Sequence, residues 1–490
     1  MSTYTDITED YSSFDDLSND RHNSLPLKTQ DNFSFYKILA ICCSLIVFQV
    51  AYSIEFSIIT PILTNYHIPH AIICISWMFV SIMNLFVHPM IMYYSNITNT
   101  HFGKRRPFIL TGGIFILMSF ISLFLISGYS VKRNNESKMI ERLIIAALLL
   151  SFLILHLSIK MVQVPSYLLF NEIIPKNNQK YTKSMGSIIS SFTITIIYII
   201  GGFELAQYLP KSRKDNSTIF TNDQFLLMIC FLVVLIALIF TLSSSKEEII
   251  SDSILKEYTN PFKEIQQVLS SRPKSIIWIC VIYICSWMAY YPFIVFITNY
   301  FGFAIHLSKT DENSSITIDE RGKSFGMLIL ALSQIFELMT TFIVPKIIAK
   351  INMKRTYAIS MSFLTVLLII SGFIKNKFAL MGIYSLIGIC PAVFKTIPYL
   401  LIQIIVPDEQ LSIHRNILNS SASIGKMLSM LLIGIFVSFA KLDDRIIIAS
   451  GAFFAFISAI LCYWMILPFK PIELNQVFIQ SDQNHKNIFN

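Results

Sequence analysis

The sequence predicts an all-α membrane protein of twelve transmembrane helices in two six-helix halves. Three observations carry that expectation. Of 490 residues, 54% are apolar and only 14% charged, with a mean hydropathy of +0.61, whereas the surface of a water-soluble domain needs about a quarter charged residues. The apolar residues gather into runs of the length that crosses a bilayer, about 20 residues each. One long polar stretch divides those runs into two equal sets.

In chain order the expected spans are 37–63, 71–93, 108–128, 143–170, 185–207 and 223–243, then 276–300, 324–348, 356–374, 378–405, 417–440 and 445–468. Between the sets, Ser244 to Lys274 holds five acids and five basic residues. The expected organisation is a polar tail (1–36), a six-helix bundle (37–243), a central loop (244–275), a second six-helix bundle (276–468) and a closing tail (469–490). The first 33 residues carry seven acids and two basic residues without an apolar run, which argues against a cleaved signal peptide and for disorder.

Composition excludes several function classes. The formal charge of +8 is spread over short loops with no basic block, so nucleic acid is not an expected partner. The eight cysteines (Cys42, Cys43, Cys74, Cys230, Cys280, Cys285, Cys390, Cys462) all lie in apolar runs without a CxxC pair and read as small buried hydrophobes. No metal cluster, nucleophile–base set or nucleotide loop is visible in the polar segments. Neither an enzyme, a metal nor a cofactor is therefore expected.

Loop charge gives the orientation. Lys104, Arg105 and Arg106 follow the second span, and Lys176, Lys180 and Lys183 follow the fourth; cytoplasmic loops are the Lys- and Arg-rich ones. Both termini are therefore expected in the cytosol, although the opposing loops carry Lys211, Arg213 and Lys214. The sequons at Asn135, Asn216 and Asn313 fall in loops that this topology puts outside. The sequence does not say whether the host membrane is the plasma membrane or an organelle's.

Ionisable residues inside a span are costly, by roughly 2.5–3.5 kcal/mol each, and normally face a partner or a pathway. Six stand out: Glu55 in the first span, His156 and Lys160 in the fourth, Glu337 in the eighth, Lys395 in the tenth and Lys426 in the eleventh. His156 and Lys160, four residues apart, share one helix face. These charges can form a polar path, with His156 or Glu55 titrating. They can equally be static ion pairs, such as Glu55 with Lys160 and Glu337 with Lys426. Among the aromatics, Trp77, Trp287, Tyr290, Tyr291 and Phe394 offer faces for a sugar ring, and Gln163, Asn299 and Gln334 offer amides for its hydroxyls.

Several stretches carry a resemblance. They are Tyr52 to Pro61, with Glu55 ahead of Thr60-Pro61; Tyr94-Ser95-Asn96 followed by Phe102-Gly103-Lys104-Arg105-Arg106-Pro107-Phe108-Ile109; Trp287 to Phe293 running on to Thr298-Asn299-Tyr300-Phe301-Gly302; and Gly388 with Pro391-Ala392-Val393 and Thr396-Ile397-Pro398-Tyr399. A weaker echo is Gln163-Val164-Pro165. Together they resemble the sucrose-transporter family, a branch of the major facilitator superfamily close to the glycoside–pentoside–hexuronide carriers, with plant sucrose–proton symporters and animal and fungal relatives. The cationic loop, which resembles the family's Y-S-D…F-G-R-R-R-P-F-I, is the most specific of them.

The resemblance implies the major facilitator fold, a pathway lined by spans 1, 4, 7 and 10, and sugar–proton symport by alternating access. On the family pattern, Asn96, Gly103, Lys104, Arg105 and Arg106 form a conformational loop in which Asn96 stands where an aspartate is usual. The physical reading of the three cations is an anchor to anionic lipid headgroups ahead of Pro107, a residue suited to a first helical turn. The pathway candidates become Glu55, His156, Lys160, Gln163, Trp287, Tyr290, Asn299, Glu337, Lys395 and Lys426. Here too the chain departs from the family: His156 falls where an aspartate is expected, and Ile297-Thr298-Asn299 replaces D-T-D. Three functions stay open on this sequence: a sugar carrier with or without proton coupling, a carrier of an anionic organic solute, and a non-transporting membrane sensor. The expected partners are a small solute, protons and the lipid bilayer, with a monomer as the working unit.

Overall fold

The computed structural model describes residues 35–98, 100–131, 138–173, 176–208, 220–244, 274–307, 320–407, 410–439 and 443–464. The sequons at Asn135, Asn216 and Asn313, both tails, and the central loop apart from its ends lie outside these residues. The chain divides into Met1–Leu39, of which only the helical turn from Phe35 is described, and Ala40–Asn490, which carries everything below.

The helices are α1 (Phe35–Asn65), α2 (His70–Ile97), α3 (Arg106–Val131), α4 (Lys138–Ile173), α5 (Lys176–Gly202), α6 (Asn222–Ser244), α7 (Lys274–Leu307), α8 (Glu320–Ile351), α9 (Met353–Phe373), α10 (Lys377–Leu386), α11 (Ile389–Ile405), α12 (Leu411–Phe439) and α13 (Asp444–Trp464). Twelve segments among the described residues are long and apolar enough to cross a membrane, with α10 and α11 together making the tenth, Lys377–Ile405. Lys176, Lys180 and Lys183, expected in a loop, instead lie in the first two turns of α5. The helix runs past its apolar part because its polar start, rich in Lys, Asn and Gln, does not itself forbid helix.

These helices are inverted relative to a water-soluble bundle. Large apolar side chains such as Leu125, Met118, Phe436, Phe439 and Phe453 point outward, where hydrocarbon solvates them. The interior holds Ser and Thr, whose hydroxyls mostly bond back to a carbonyl one turn earlier, as Ser53 does to Gln49 (2.9 Å) and Thr241 to Ala237 (2.8 Å). With no water in the hydrocarbon, such groups must be satisfied within the protein.

Within each half, α3 packs against α4 and α6, α2 against α4, α7 against α8, α12 and α13, and α9 against α13. Across the halves, α2 packs on α12 and α5 on α8. The most deeply buried spans are the first and the seventh, so α1 and α7 sit at the centre. Successive spans alternate in direction. The end reached by α1, where α2, α6, α8 and α13 begin or end, is called the distal end below.

The tenth span is broken where the sequence requires it. Pro391 has no N–H to give the Ile387 carbonyl, and Cys390 N takes that carbonyl instead (3.0 Å), as Gly388 N takes Ser385 O (3.1 Å). Gly388 lies at the break because a Cβ there would run into the Ser333 carbonyl of α8.

Candidate functional site

Glu55, in the middle of α1, is fully buried. Its Oε1 lies 2.6 Å from His156 Nδ1 on α4, and His156 Nε2 lies 2.9 Å from Asn84 Oδ1 on α2. His156 thus bridges Glu55 of α1 and Asn84 of α2. Glu55 Oε2 has no hydrogen-bond partner among the described residues, a deficit that normally costs about 1–3 kcal/mol or more for a charged group.

One turn further along α4, Lys160 Nζ bonds the Tyr52 hydroxyl and Gln163 Oε1 (2.8 Å). The Tyr52 hydroxyl also reaches Gln163 Oε1 at 3.3 Å. In the other half, Lys395 Nζ pairs with Glu337 Oε1 at 2.8 Å, and Gln334 Nε2 braces Glu337 Oε2 at 2.9 Å. The static pairing weighed above is therefore wrong in its partners. Glu55 goes to His156 rather than Lys160, and Glu337 goes to Lys395 rather than Lys426. Lys426 instead lies 4.0 Å from the Trp287 ring centre and 5.6 Å from that of Tyr291, distances at which a cation is attracted to a ring face. Lys395 approaches Trp287 and Tyr290 at 6.0 and 5.5 Å.

The two clusters meet through aromatic contacts between halves. Tyr291 of α7 stands edge-on to Phe56 of α1 (6.3 Å) and to Trp77 of α2 (6.0 Å). Phe56 stacks on Tyr52 at 6.1 Å and on Trp77 at 5.3 Å. Tyr52, Lys160, Gln163, Trp287, Lys395 and Lys426 are only half-buried although their neighbours are interior side chains. They are partly exposed side chains of the bundle interior at mid-span depth. Trp77, Tyr290, Tyr291 and Phe394 are buried in packing; the Trp77 indole N–H donates to Thr60 Oγ1 at 3.1 Å. Of the five aromatics expected to receive a solute, Trp287 alone is partly exposed in this way.

Asn299 does not join this cluster. It lies eight residues beyond Tyr291, about 12 Å along α7 at 1.5 Å per residue. There its Nδ2 donates to Asp444 Oδ2 (2.6 Å) while His70 Nε2 lies 3.0 Å from Asp444 Oδ1. His70 begins α2 and Asp444 begins α13, so this contact ties the halves at the distal end. A second tie is Lys323 of α8 with Asp223 of α6, 2.6 Å apart with side chains 3% and 6% exposed. Its geometry lies off the hydrogen-bond direction, and the attraction is chiefly coulombic. His70, Asp223, Lys323, Asp444 and Asn84 were missed in the sequence. The first four resemble ordinary charges at a span end, and Asn84 is uncharged.

The cationic loop is folded rather than lipid-facing. Gly103 has φ 105°, a conformation that L side chains rarely adopt, and its N–H closes on Thr100 O at 2.9 Å. That turn sends Arg105 inward, 2% exposed, with Nη1 donating to Ser95 Oγ (2.6 Å) and Nη2 to Asn96 Oδ1 (2.5 Å). Lys104 is buried too, and Arg106 donates to the Leu242 carbonyl at the end of α6. The loop thus clasps α2, α3 and α6, because the tight turn leaves the first two cations no route to the headgroups.

Comparison with known proteins places this geometry. The chain is 23% identical over 396 residues to the sucrose transport protein SUC4 of Arabidopsis thaliana, covering 75% of this chain and 76% of that one. It is 24% identical over 330 residues to the general alpha-glucoside permease of Schizosaccharomyces pombe, covering 64% of this chain and 57% of that one. Among solved structures, a D-xylose–proton symporter superposes on 89% of this chain and 99% of its own with a TM-score of 0.61 at 10% identity. The nucleoside transporter NupG superposes on 88% of this chain and the whole of its own at a TM-score of 0.59 and 14% identity. At such identities the structures establish the shared fold alone. The family model for MFS/sugar transport proteins matches residues 57–412, so this integral membrane protein belongs to that transporter family.

Proposed function

We propose that this protein is a secondary transporter that carries a sugar through the opening between residues 37–243 and 276–468, by alternating access. One observation carries the reading. Polar and charged side chains from α1, α2, α4, α8, α11 and α12 converge at mid-span depth around the half-exposed Tyr52 and Trp287. A sugar needs both kinds of surface. Its C–H face packs on an aromatic ring, and its hydroxyls take up polar partners that are costly to leave unpaired in hydrocarbon. Glu55 Oε2, buried without a hydrogen-bond donor, suits a transported proton.

The same reading gives the distal ties a role. His70–Asp444–Asn299 and Asp223–Lys323 hold the halves together at one end while the lysines stay partly exposed beside the central opening. With both termini in the cytosol, the distal end faces outward and access is from the cytosolic side. Transport then requires these ties to open as the other end closes.

Purified protein in proteoliposomes, assayed with radiolabelled sucrose, maltose and glucose with and without a pH gradient, tests the proposal. Saturable uptake of at least one sugar is expected, rising with an inward proton gradient. Uptake indifferent to the gradient removes the proton and leaves facilitated diffusion. Absence of saturable flux for every sugar, neutral or charged, refutes the reading.

A further inference from the structure

The ion pairs at mid-span leave two cations over. Glu55 is taken by His156 and Glu337 by Lys395. Lys160 Nζ reaches the neutral oxygens of Tyr52 and Gln163, and Lys426 Nζ lies against the rings of Trp287 and Tyr291. Lys426 is within electrostatic range of Lys160, Lys395 and Glu55, and His88 of α2 adds another basic group beside Lys160. The buried acids Asp223 and Asp444 are committed at the distal end, to Lys323 and to His70 with Asn299. Among the described residues, then, neither lysine makes an ion pair with a carboxylate; Glu55, within electrostatic range of both, is held by His156.

Lys160 and Lys426 lie within electrostatic range of each other, and a cation at mid-span is costly unless something negative compensates it. An intramembrane lysine that only holds helices together would be expected to carry its own acid, as Lys395 and Lys323 do. The exceptions are Lys160 and Lys426, both partly exposed. They come from opposite halves, α4 and α12, and the half-exposed rings of Tyr52, Phe56 and Trp287 lie close to them.

We infer that the carried sugar bears an anionic group, a carboxylate or a phosphate, which seats between Lys160 and Lys426 while an apolar face of the sugar ring meets an aromatic side chain. The inference rests on the transport reading above and names the substrate class for that same site. A lysine is a point charge with three donors and suits either anion. A solute that bridges α4 and α12 also bridges the halves, so its charge helps draw them together once bound.

The full-length protein in proteoliposomes is assayed for uptake of radiolabelled glucose, sucrose, glucuronic acid and glucose 6-phosphate, with acetate and inorganic phosphate as competitors. We expect glucuronic acid or glucose 6-phosphate to half-saturate uptake at a concentration at least tenfold below that of the neutral sugars; which of the two does so identifies the anion. Lys160→Gln and Lys426→Gln should each shrink that preference about tenfold, while Lys160→Arg and Lys426→Arg retain most of it. Size-exclusion profiles certify that the variants are folded, and should a Gln variant fail to fold, the wild-type preference decides alone. Saturable uptake of neutral sugars that neither sugar anion crosses with nor competes against overturns the inference and leaves the transport reading standing. Competition by acetate or phosphate as strong as by the sugar anions overturns the carbohydrate part, and a protein that moves no sugar at all removes both.

Discussion

Replacing Asp223 by asparagine should shift this transporter toward the state opened at its distal end. Asp223 and Lys323 are 2.6 Å apart, with side chains 6% and 3% exposed, and they join α6 to α8 across the halves. The amide keeps the shape and loses the charge, leaving the Lys323 ammonium buried without its acid. Removing one partner of a buried pair costs about 3–5 kcal/mol, mostly from the charge left behind. That cost falls on the distally closed state alone, because opening lets water reach Lys323. At 1.4 kcal/mol per tenfold, the closed-to-open ratio should fall by a factor of roughly 10² to 4 × 10³. The second tie, through His70 and Asp444, keeps part of the closed population. Spin labels at Tyr208 and Ile446, both exposed and on opposite halves, in a cysteine-free background would report the distance between the distal ends by double electron–electron resonance. A long-distance component should dominate in Asp223→Asn and recede in the charge-swapped double variant Asp223→Lys with Lys323→Asp. If wild type and Asp223→Asn give the same distances while the variant melts at a lower temperature, the pair is a static brace and the gating argument fails.

Three further outcomes follow from the same contacts. Arg105→Lys keeps the charge but loses the fork that reaches both Ser95 and Asn96; maximal uptake should drop several-fold with little change in half-saturation, since the loop lies at the end of the second span, away from the mid-span cluster. Glu55→Gln leaves His156 without its buried carboxylate, so uphill accumulation should be lost while counterflow persists; uphill accumulation that survives would take Glu55 out of coupling. Gly388→Val forces a side chain into the Ser333 carbonyl, and overpacking of this kind costs about 1–3 kcal/mol or more; a lower melting temperature and poor recovery on size exclusion are expected.

The twelve spans were legible because the bilayer imposes a length and a composition on each of them. The break in the tenth was not anticipated: the expected span runs unbroken over 378–405, although Gly388 and Pro391 set the break locally. Pairing partners were not legible, because they depend on which helix faces which. Glu55 and His156 are 101 residues apart, and nothing near either specifies the other. Asn84 was passed over because a search for charges does not see an amide, although its side chain lies 2.9 Å from His156 Nε2. The cationic loop shows the opposite failure. Three cations at a span end suggested headgroups, yet the positive φ of Gly103 turns Arg105 inward, and that is a property of one turn rather than of charge.

The placement of acids and bases ties these observations together. A buried charge is tolerated where a partner or water meets it, so its neighbours indicate what it does. At the distal end both buried acids are paired with bases across the halves, Asp223 with Lys323 and Asp444 with His70, in an arrangement that holds without any solute. At mid-span the bases outnumber the acids, and the surplus sits on α4 and α12 among partly exposed side chains. The first arrangement favours closure of the empty protein at one end, and the second is complete only with something negative inside. Two of the residues that depart from the expected family pattern lie in these two arrangements: His156 is held by Glu55 at mid-span, and Asn299 donates to Asp444 at the distal end. Charge lost from the pathway on the acidic side therefore changes what the pathway holds, while the distal latch keeps its acids.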